Sequence, residues 1–330
     1  MKYNHILRIL VCVCLLCGLL LSVAACAKEP EDDGYYTVAF DTAGGSQVPA
    51  QEIKAGGYAK QPPTPTKEGY IFLGWKRDTF DYDFDSFPVN RDTTLVASWI
   101  EADDLFSYER ITGTDEFRIT GLTRHDLTVD TLYLPQMTRG MAVTGIAANA
   151  FASLSHENIP NIVIPNNINS VGEGAFYQCD GIRIQVLGTL KEVGKGAFFG
   201  CNGLVSVALT PGMTSIPWQA FSGCSSLLTV QIPNGIKNIE ENAFTGCTSL
   251  VTVVLPTGLE RIEDSTFYEC NSIKTVFFMG SAEEELAALV GNGNDALIEA
   301  KRYHYSAEEP SESGAFWYWD DQNNPKIWIK

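Results

Sequence analysis

Apolar and polar residues alternate in short runs along the second half of the chain, and the runs return at a fixed interval. The two cleanest copies are LLTVQIPNGIKNIEENAFTGCTS at 227–249 and LVTVVLPTGLERIEDSTFYECNS at 250–272. They share the pattern L-x-x-V-x-I/L-P-x-x-I-x-x-I-x-x-x-A/T-F-x-x-C. A constant period of this size predicts a stack of similar units. Because alternate side chains of a strand face the same side, the stack should form a parallel sheet with an apolar inner face.

Two further columns accompany the strands. Phenylalanines recur at spacings of 25, 22, 23, 23 and 23, at positions 151, 176, 198, 221, 244 and 267. Cysteines recur beside them, at positions 179, 201, 224, 247 and 270. We expect a phenylalanine spine on the far side of the stack. The cysteines should be free thiols that fill a narrow gap, because their number is odd and no CxxC or histidine cluster accompanies them.

This pattern resembles the BspA-like leucine-rich repeat of bacterial surface proteins, over roughly residues 127–280. Two copies depart from it: IRIQVL at 182–187 is shortened and lacks the proline that ends the strand, and Thr210 displaces the proline of the next copy. A local kink or bulge without a break in the stack is expected there. Residues 101–126 and 281–330 should cap the array. Within the second cap, EEELAALV at 283–290 predicts a short helix, and 302–306 and 327–329 predict closing strands.

A smaller unit is predicted at residues 35–100. Residues 36–40 alternate at the strand period, Gly44-Gly45 marks a turn, and further strands are expected near 70–72 and 94–99. The order VAFD, GG, PTPTK, GY, GW, TTL and a closing tryptophan resembles the internalin-type B-repeat, or Listeria–Bacteroides repeat. That resemblance implies a small β-grasp-like module with no activity of its own. The expected fold is therefore a mainly β repeat solenoid preceded by a small β-grasp-like domain.

The first 25 residues have the layout of a secretory signal, with Lys2 and Arg8 ahead of an apolar run. A retained transmembrane helix is the alternative. The exit Val23-Ala24-Ala25-Cys26 resembles the lipobox of bacterial lipoproteins, which implies acylation of Cys26 and localisation on the outer side of the membrane. Residues 26–34 then read as an acidic tether.

The chain has a net charge of -17, which argues against nucleic-acid binding because that requires clustered Lys and Arg. No triad, HExxH, P-loop or dinucleotide motif occurs, and the histidines are scattered, so we predict no enzyme, cofactor or metal site. Asp81, Asp83, Asp85 and Asp92 have some calcium-loop spacing, but the turn glycine and the last glutamate are missing. The aromatic residues Phe316 to Trp319 and Trp328 suggest a hydrophobic cap, or alternatively a platform for sugar.

The predicted function is binding or adhesion at the cell surface, with a protein or glycan ligand engaged by the outward strand side chains. The candidate ligand-binding residues are Arg183, Gln185, Ser206, Thr229, Gln231, Thr252, Thr275 and Phe277. The alternatives are a passive structural spacer of the envelope and a carbohydrate-binding accessory of an enzyme system.

Overall fold

The computed structural model describes residues 34–124, 127, 129, 131–280, 289–311, 314–322 and 325–328. The signal segment, Cys26 and most of the tether therefore lie outside the described residues. The first strands are β1 (Tyr35–Asp41), β2 (Gln51–Lys54), β3 (Tyr70–Arg77), β4 (Phe80–Asp81) and β5 (Thr93–Glu101). Helix α1 (Ala102–Leu105) then leads to β6 (Phe106–Arg110), β7 (Phe117–Leu122), β8 (Thr131–Tyr133), β9 (Met137–Thr138) and β10 (Met141–Ile146).

Short strands alternate through the rest of the chain. They are β11 (Asn161–Ile164), β12 (Ser170–Val171), β13 (Arg183–Val186), β14 (Thr189–Leu190), β15 (Glu192–Val193), β16 (Ala208–Leu209), β17 (Ser215–Ile216), β18 (Thr229–Gln231), β19 (Asn238–Ile239), β20 (Thr252–Leu255), β21 (Arg261–Ile262), β22 (Thr275–Phe278) and β23 (Leu289–Val290). Helix α2 (Asp295–Glu299) and strands β24 (Lys301–Tyr305), β25 (Phe316–Trp319) and β26 (Pro325–Ile327) follow.

The N-terminal unit is one mixed sheet in the order β2-β1-β5-β3-β4, with β1 and β5 parallel at its centre. The predicted strands are found as β1, β3 and β5. Trp75 is buried in the core of this unit, and the Trp99 indole donates a hydrogen bond to the Thr42 carbonyl oxygen at 3.0 Å. A Cβ at Gly45 would lie 2.7 Å from the Trp99 ring, so only glycine fits at this turn.

The repeats form the predicted parallel stack. Thr229 of β18 lies beside Thr252 of β20, which lies beside Thr275 of β22. The residues that follow two of these threonines, Val253 and Val276, point inward and are buried. A second column of short parallel strands, β17-β19-β21-β23, forms the next side of the coil. The solenoid is therefore a β-structure with two ladders around one apolar core.

The predicted phenylalanine spine is confirmed. Neighbouring rings from Phe151 to Phe267 stack at centroid distances of 5.3 to 5.6 Å and are nearly parallel. From Phe151 to Phe244, the backbone N–H of each spine phenylalanine donates to a carbonyl oxygen of the next copy, as Phe221 does to Ala243 at 2.9 Å. The five cysteines are buried free thiols, as expected. Each thiol donates to the phenylalanine carbonyl of the preceding copy, as Cys247 does to Phe221 at 3.2 Å.

The irregular copy divides the outer sheet while leaving the spine continuous. Strand β13 pairs only with β11, β16 pairs with β14, and the ladder that begins at β18 is separate. In this shortened copy Gly203 packs against Ile182, where a Cβ would lie 2.3 Å from the Ile182 carbonyl oxygen. The Phe176–Phe198 and Phe198–Phe221 stacks stay at 5.4 and 5.6 Å. The predicted irregularity thus interrupts strand pairing without interrupting the stack.

Both ends of the array are closed by additional strands. The β6–β7 hairpin extends the ladder of β10 and β12 at the N-terminal end. At the other end β24 pairs in parallel with β22, followed by β25 and then β26, an edge strand that begins with Pro325. The predicted helix at 283–290 lies mostly outside the described residues. For its last two residues the prediction is wrong, because Leu289 and Val290 form strand β23, which pairs with Arg261 and Ile262.

Candidate ligand-binding face

We define the outer face as the side chains of β8, β11, β13, β18, β20 and β22 and of residues 205–208 that alternate with the buried inner ones. Arg183, Gln185, Ser206, Thr229 and Gln231 are exposed on it. Thr252 and Thr275 continue the row as partly exposed side chains. The structure therefore brings seven of the eight predicted residues onto one accessible surface.

Phe277 is the exception, because it lies on the outer face but is covered. Its ring is 5.1 Å from the Trp317 ring and 5.6 Å from the Tyr303 ring, and it is only 5 % exposed. Trp317 is fully buried, and its indole donates to the Phe278 carbonyl at 3.0 Å. Phe277 therefore belongs to a small second core with Val254. The burial of Trp317 supports the capping interpretation of the aromatic segment.

The outer face differs in charge from the rest of this acidic chain. The chain has 40 Asp and Glu residues, yet none stands at an outer-face position. Those positions carry Thr131, Tyr133, Asn161, Val163, Arg183, Gln185, Ser206, Ala208, Thr229, Gln231, Thr252, Val254, Thr275 and Phe277. A ligand approaching this strip meets hydroxyl and amide groups and one cation, without the repulsion that the remaining surface exerts on anions.

A groove of about 540 Å³ lies at the N-terminal part of this face. Its lining includes Tyr133, Asn161, Arg183, Gln185 and Ser206. Sequence reasoning missed Tyr133 and Thr131 as surface residues, although both alternate with the buried Leu132. The same two-residue period that identified the other outward positions would have identified them.

The described part of the chain holds no group of three or more His, Cys, Asp or Glu side chains placed to bind a metal ion. Asp83, in the segment weighed for calcium, instead organises a local turn. It accepts hydrogen bonds from the Ser86 hydroxyl at 2.5 Å and the Asp85 backbone N–H at 2.9 Å, and these bonds hold the pKa of its carboxyl below the usual range. No helix within the described ranges is long and apolar enough to span a bilayer.

Several known proteins are similar to parts of this chain. A protein of Evansella cellulosilytica named "Putative membrane protein" is 43% identical over 67 residues, which is 19% of this chain and 10% of that protein. The chain thus spans about a tenth of the length of that relative. The crystal structure of the T. pallidum leucine-rich repeat protein is 23% identical, covers 57% of this chain and 83% of its own, and has a TM-score of 0.47. A leucine-rich cell surface protein from Faecalibacterium prausnitzii is also 23% identical, with 55% and 40% covered and a TM-score of 0.37.

Two family models match the chain in the regions where the repeats and the small sheet were found. The Listeria–Bacteroides repeat domain matches residues 36–98. The BspA-type leucine-rich repeat region matches residues 182–284. The stacked rings of Phe151 and Phe176 continue the same spine ahead of that second match. This chain therefore contains a BspA-type leucine-rich repeat region, preceded by a Listeria–Bacteroides repeat domain.

Proposed function

We propose that this chain is a cell-surface binding protein that engages a protein or glycan ligand through the outer face of its solenoid. The observation that carries the proposal is the carboxylate-free strip of exposed polar side chains on a chain of net charge -17. A passive spacer would not need such a strip, since acidic side chains at these positions would keep it soluble equally well. The leucine-rich repeat family supports a binding role, because solenoids commonly display broad surfaces to partners.

The test is a binding screen of the purified chain against matrix proteins, mucin and a glycan array. Thr229→Glu and Thr252→Glu should each weaken the binding that the unmodified chain shows by about tenfold, because they place carboxylates in a strip that otherwise has none. Thr248→Glu is the matched control, since Thr248 is exposed in the turn after Cys247 and is not an outer-face position. If all three variants bind as tightly as the unmodified chain, the outer face is excluded as the binding site. A chain whose loss alters envelope integrity, and which binds nothing, would support the spacer instead.

Attachment to the membrane is a second part of the proposal and rests on the sequence around Cys26. We infer that Cys26 carries the lipid and that the solenoid stands on the outer side of the membrane. Two or more acyl chains would give stable anchoring, because each buried CH₂ contributes about 0.8 kcal/mol. Metabolic labelling with palmitate should mark the chain and should be lost in Cys26→Ser. Retention of the label in that variant would overturn the assignment.

A further inference from the structure

The N-terminal domain forms one wall of a larger groove that continues onto the outer face. A cavity of about 500 Å³ is lined by Phe72 and Asp85 of the domain and by Thr131 and Tyr133 of the solenoid. A second cavity, of about 490 Å³, extends from Trp99 past Tyr133. The 540 Å³ groove of the outer face is also lined by Tyr133. All three are lined by Tyr133, and we name the region that they make up around this side chain the junction groove.

Contacts across the junction hold the two walls in place. The Thr64 and Tyr133 hydroxyls are hydrogen-bonded at 2.7 Å. The Ala102 backbone N–H donates to the Gly69 carbonyl oxygen at 2.8 Å. Ile71 of β3 is 3 % exposed and packs into the core of the solenoid. The groove is therefore preformed between rigid parts, which lowers the entropy cost of binding.

An open strand edge borders the groove at its far end. Among the described strands, β13 pairs with β11 on one side and with none on the other. The next segment of the stack, around Val205 and Ser206, lines the groove without joining that ladder. Main-chain donors and acceptors at the edge of a strand are complementary to an extended polypeptide. They offer less to a sugar, which has no matching repeat of N–H and C=O groups.

The charges along the groove have opposite signs at its two ends. Asp81, Asp83 and Asp85 lie at the end formed by the N-terminal domain. Arg183 lies at the other end, is exposed, and makes no ion pair within the described part of the chain. A polyanion would be attracted by Arg183 and repelled by Asp83 and Asp85, whereas Asp81 forms an ion pair with Lys76 at 3.6 Å. A segment with a cation at one end and a carboxylate at the other matches both.

We propose that the junction groove binds an extended polypeptide segment of a protein partner, with a basic residue toward Asp85 and an acidic residue toward Arg183. This inference rests on the proposed function and deepens it by naming the ligand class and by making the N-terminal domain part of the site. Tyr133 and Phe72 provide the apolar floor between the charged ends. The hydrogen bond between the Thr64 and Tyr133 hydroxyls fixes the position of the Tyr133 side chain.

The test uses the full chain and a displayed library of random twelve-residue peptides, with a glycan array run in parallel. Enriched peptides should carry both a basic and an acidic residue. Their affinity should fall by about tenfold or more in Arg183→Glu and in Asp85→Lys. The double variant Arg183→Glu with Asp85→Lys should recover affinity for peptides in which the two charges are exchanged, an outcome that misfolding cannot produce. Arg261→Glu and Glu52→Lys are matched controls on exposed positions outside the groove, and both should bind normally.

Three outcomes would overturn the inference, and they separate it from the proposed function. Peptides whose affinity ignores Arg183 and Asp85 would place peptide binding elsewhere. Selective glycan binding that Thr252→Glu abolishes, without any enriched peptide, would keep the binding function and exclude a polypeptide ligand. No binding to either library would count against both.

Discussion

At the scale of single residues, each repeat requires two left-handed backbone positions around its phenylalanine. The backbone φ is positive two residues before the phenylalanine and two residues after it. Around Phe244, for example, these residues are Asn242 (60°) and Gly246 (73°). Glycine occupies several of these sites and adopts a positive φ easily. Glu269 (61°) and Gln178 (56°) occupy two others, and their Cβ atoms make this conformation unfavourable. A non-glycine residue in this region costs roughly 1–2 kcal/mol. The repeat therefore stores strain at its variable turn positions.

Glu269→Gly is expected to stabilise the last repeat by about 1 kcal/mol, because glycine adopts this φ without steric cost. Glu269 is exposed, so the substitution removes little packing. Glu269→Gln is the control, since it removes the same charge and keeps the strain. Thermal unfolding should show a higher midpoint for the glycine variant alone. An equal rise for both would attribute the effect to charge.

The buried thiols make stability depend on alkaline pH. Burial raises the pKa of Cys224 and Cys201 above the ordinary value of 9.0. Above about pH 9 the folded chain therefore keeps thiol protons that the unfolded chain releases. The contribution of these thiols to the free energy of unfolding is complete below that pH and decreases as the pH rises above it. Each such thiol contributes a slope of up to about 1.4 kcal/mol per pH unit. Urea unfolding at pH 8 to 10 should show a flatter dependence for Cys224→Ala, and an unchanged slope would contradict the assignment.

At the scale of elements, the spine needs a terminator where the last repeat has no successor. Asn294 fills this role: its Oδ1 accepts the Phe267 backbone N–H at 2.9 Å, in place of the carbonyl that Thr266 offers to Phe244. Its Nδ2 donates to the Glu263 and Gly291 carbonyl oxygens, each at 2.9 Å. The side chain is completely buried. One amide therefore closes the ladder that the repeats build from backbone groups.

Asn294→Ala should destabilise the C-terminal repeats by about 1–3 kcal/mol, because the buried Phe267 N–H and the Gly291 carbonyl each lose the partner that Asn294 provides. The Glu263 carbonyl still accepts a hydrogen bond from the Thr266 hydroxyl at 2.8 Å. Hydrogen exchange at the Phe267 amide should accelerate, while the Phe221 amide should change little. Asn292→Ala is the control, since Asn292 is exposed and contributes backbone groups only. Unchanged exchange at Phe267 would show that the amide is not the cap.

At the scale of the whole molecule, the N-terminal domain and the solenoid share apolar contacts through Ile71. Ile71→Ala should cost about 2–5 kcal/mol and should raise hydrogen exchange in β6 of the solenoid cap as well as in β3. Val38→Ala is the control, because Val38 is equally buried but lies in the domain's own core. Its effect should stay within residues 35–101. If Ile71→Ala also leaves β6 unaffected, the two parts fold independently and the junction groove is not rigid.

The repeat period, the inward and outward strand positions, the phenylalanine spine and the free thiols could all be predicted from sequence. Each depends on a pattern that recurs within about one repeat, and stacking multiplies the same local preference along the array. The alternation of Thr252 and Val253 thus predicts their opposite faces without knowledge of any distant residue.

Other features were decided only by the tertiary structure. Trp317 covers Phe277 from 40 positions later in the chain, and Thr64 reaches Tyr133 across 69. The division of the outer sheet beside β13 depends on how a shortened copy meets both neighbours. Contacts between residues so far apart leave no periodic trace, because each occurs once. Local pattern therefore determined the solenoid and its open face, whereas long-range packing decided which part of that face is covered and where the groove lies.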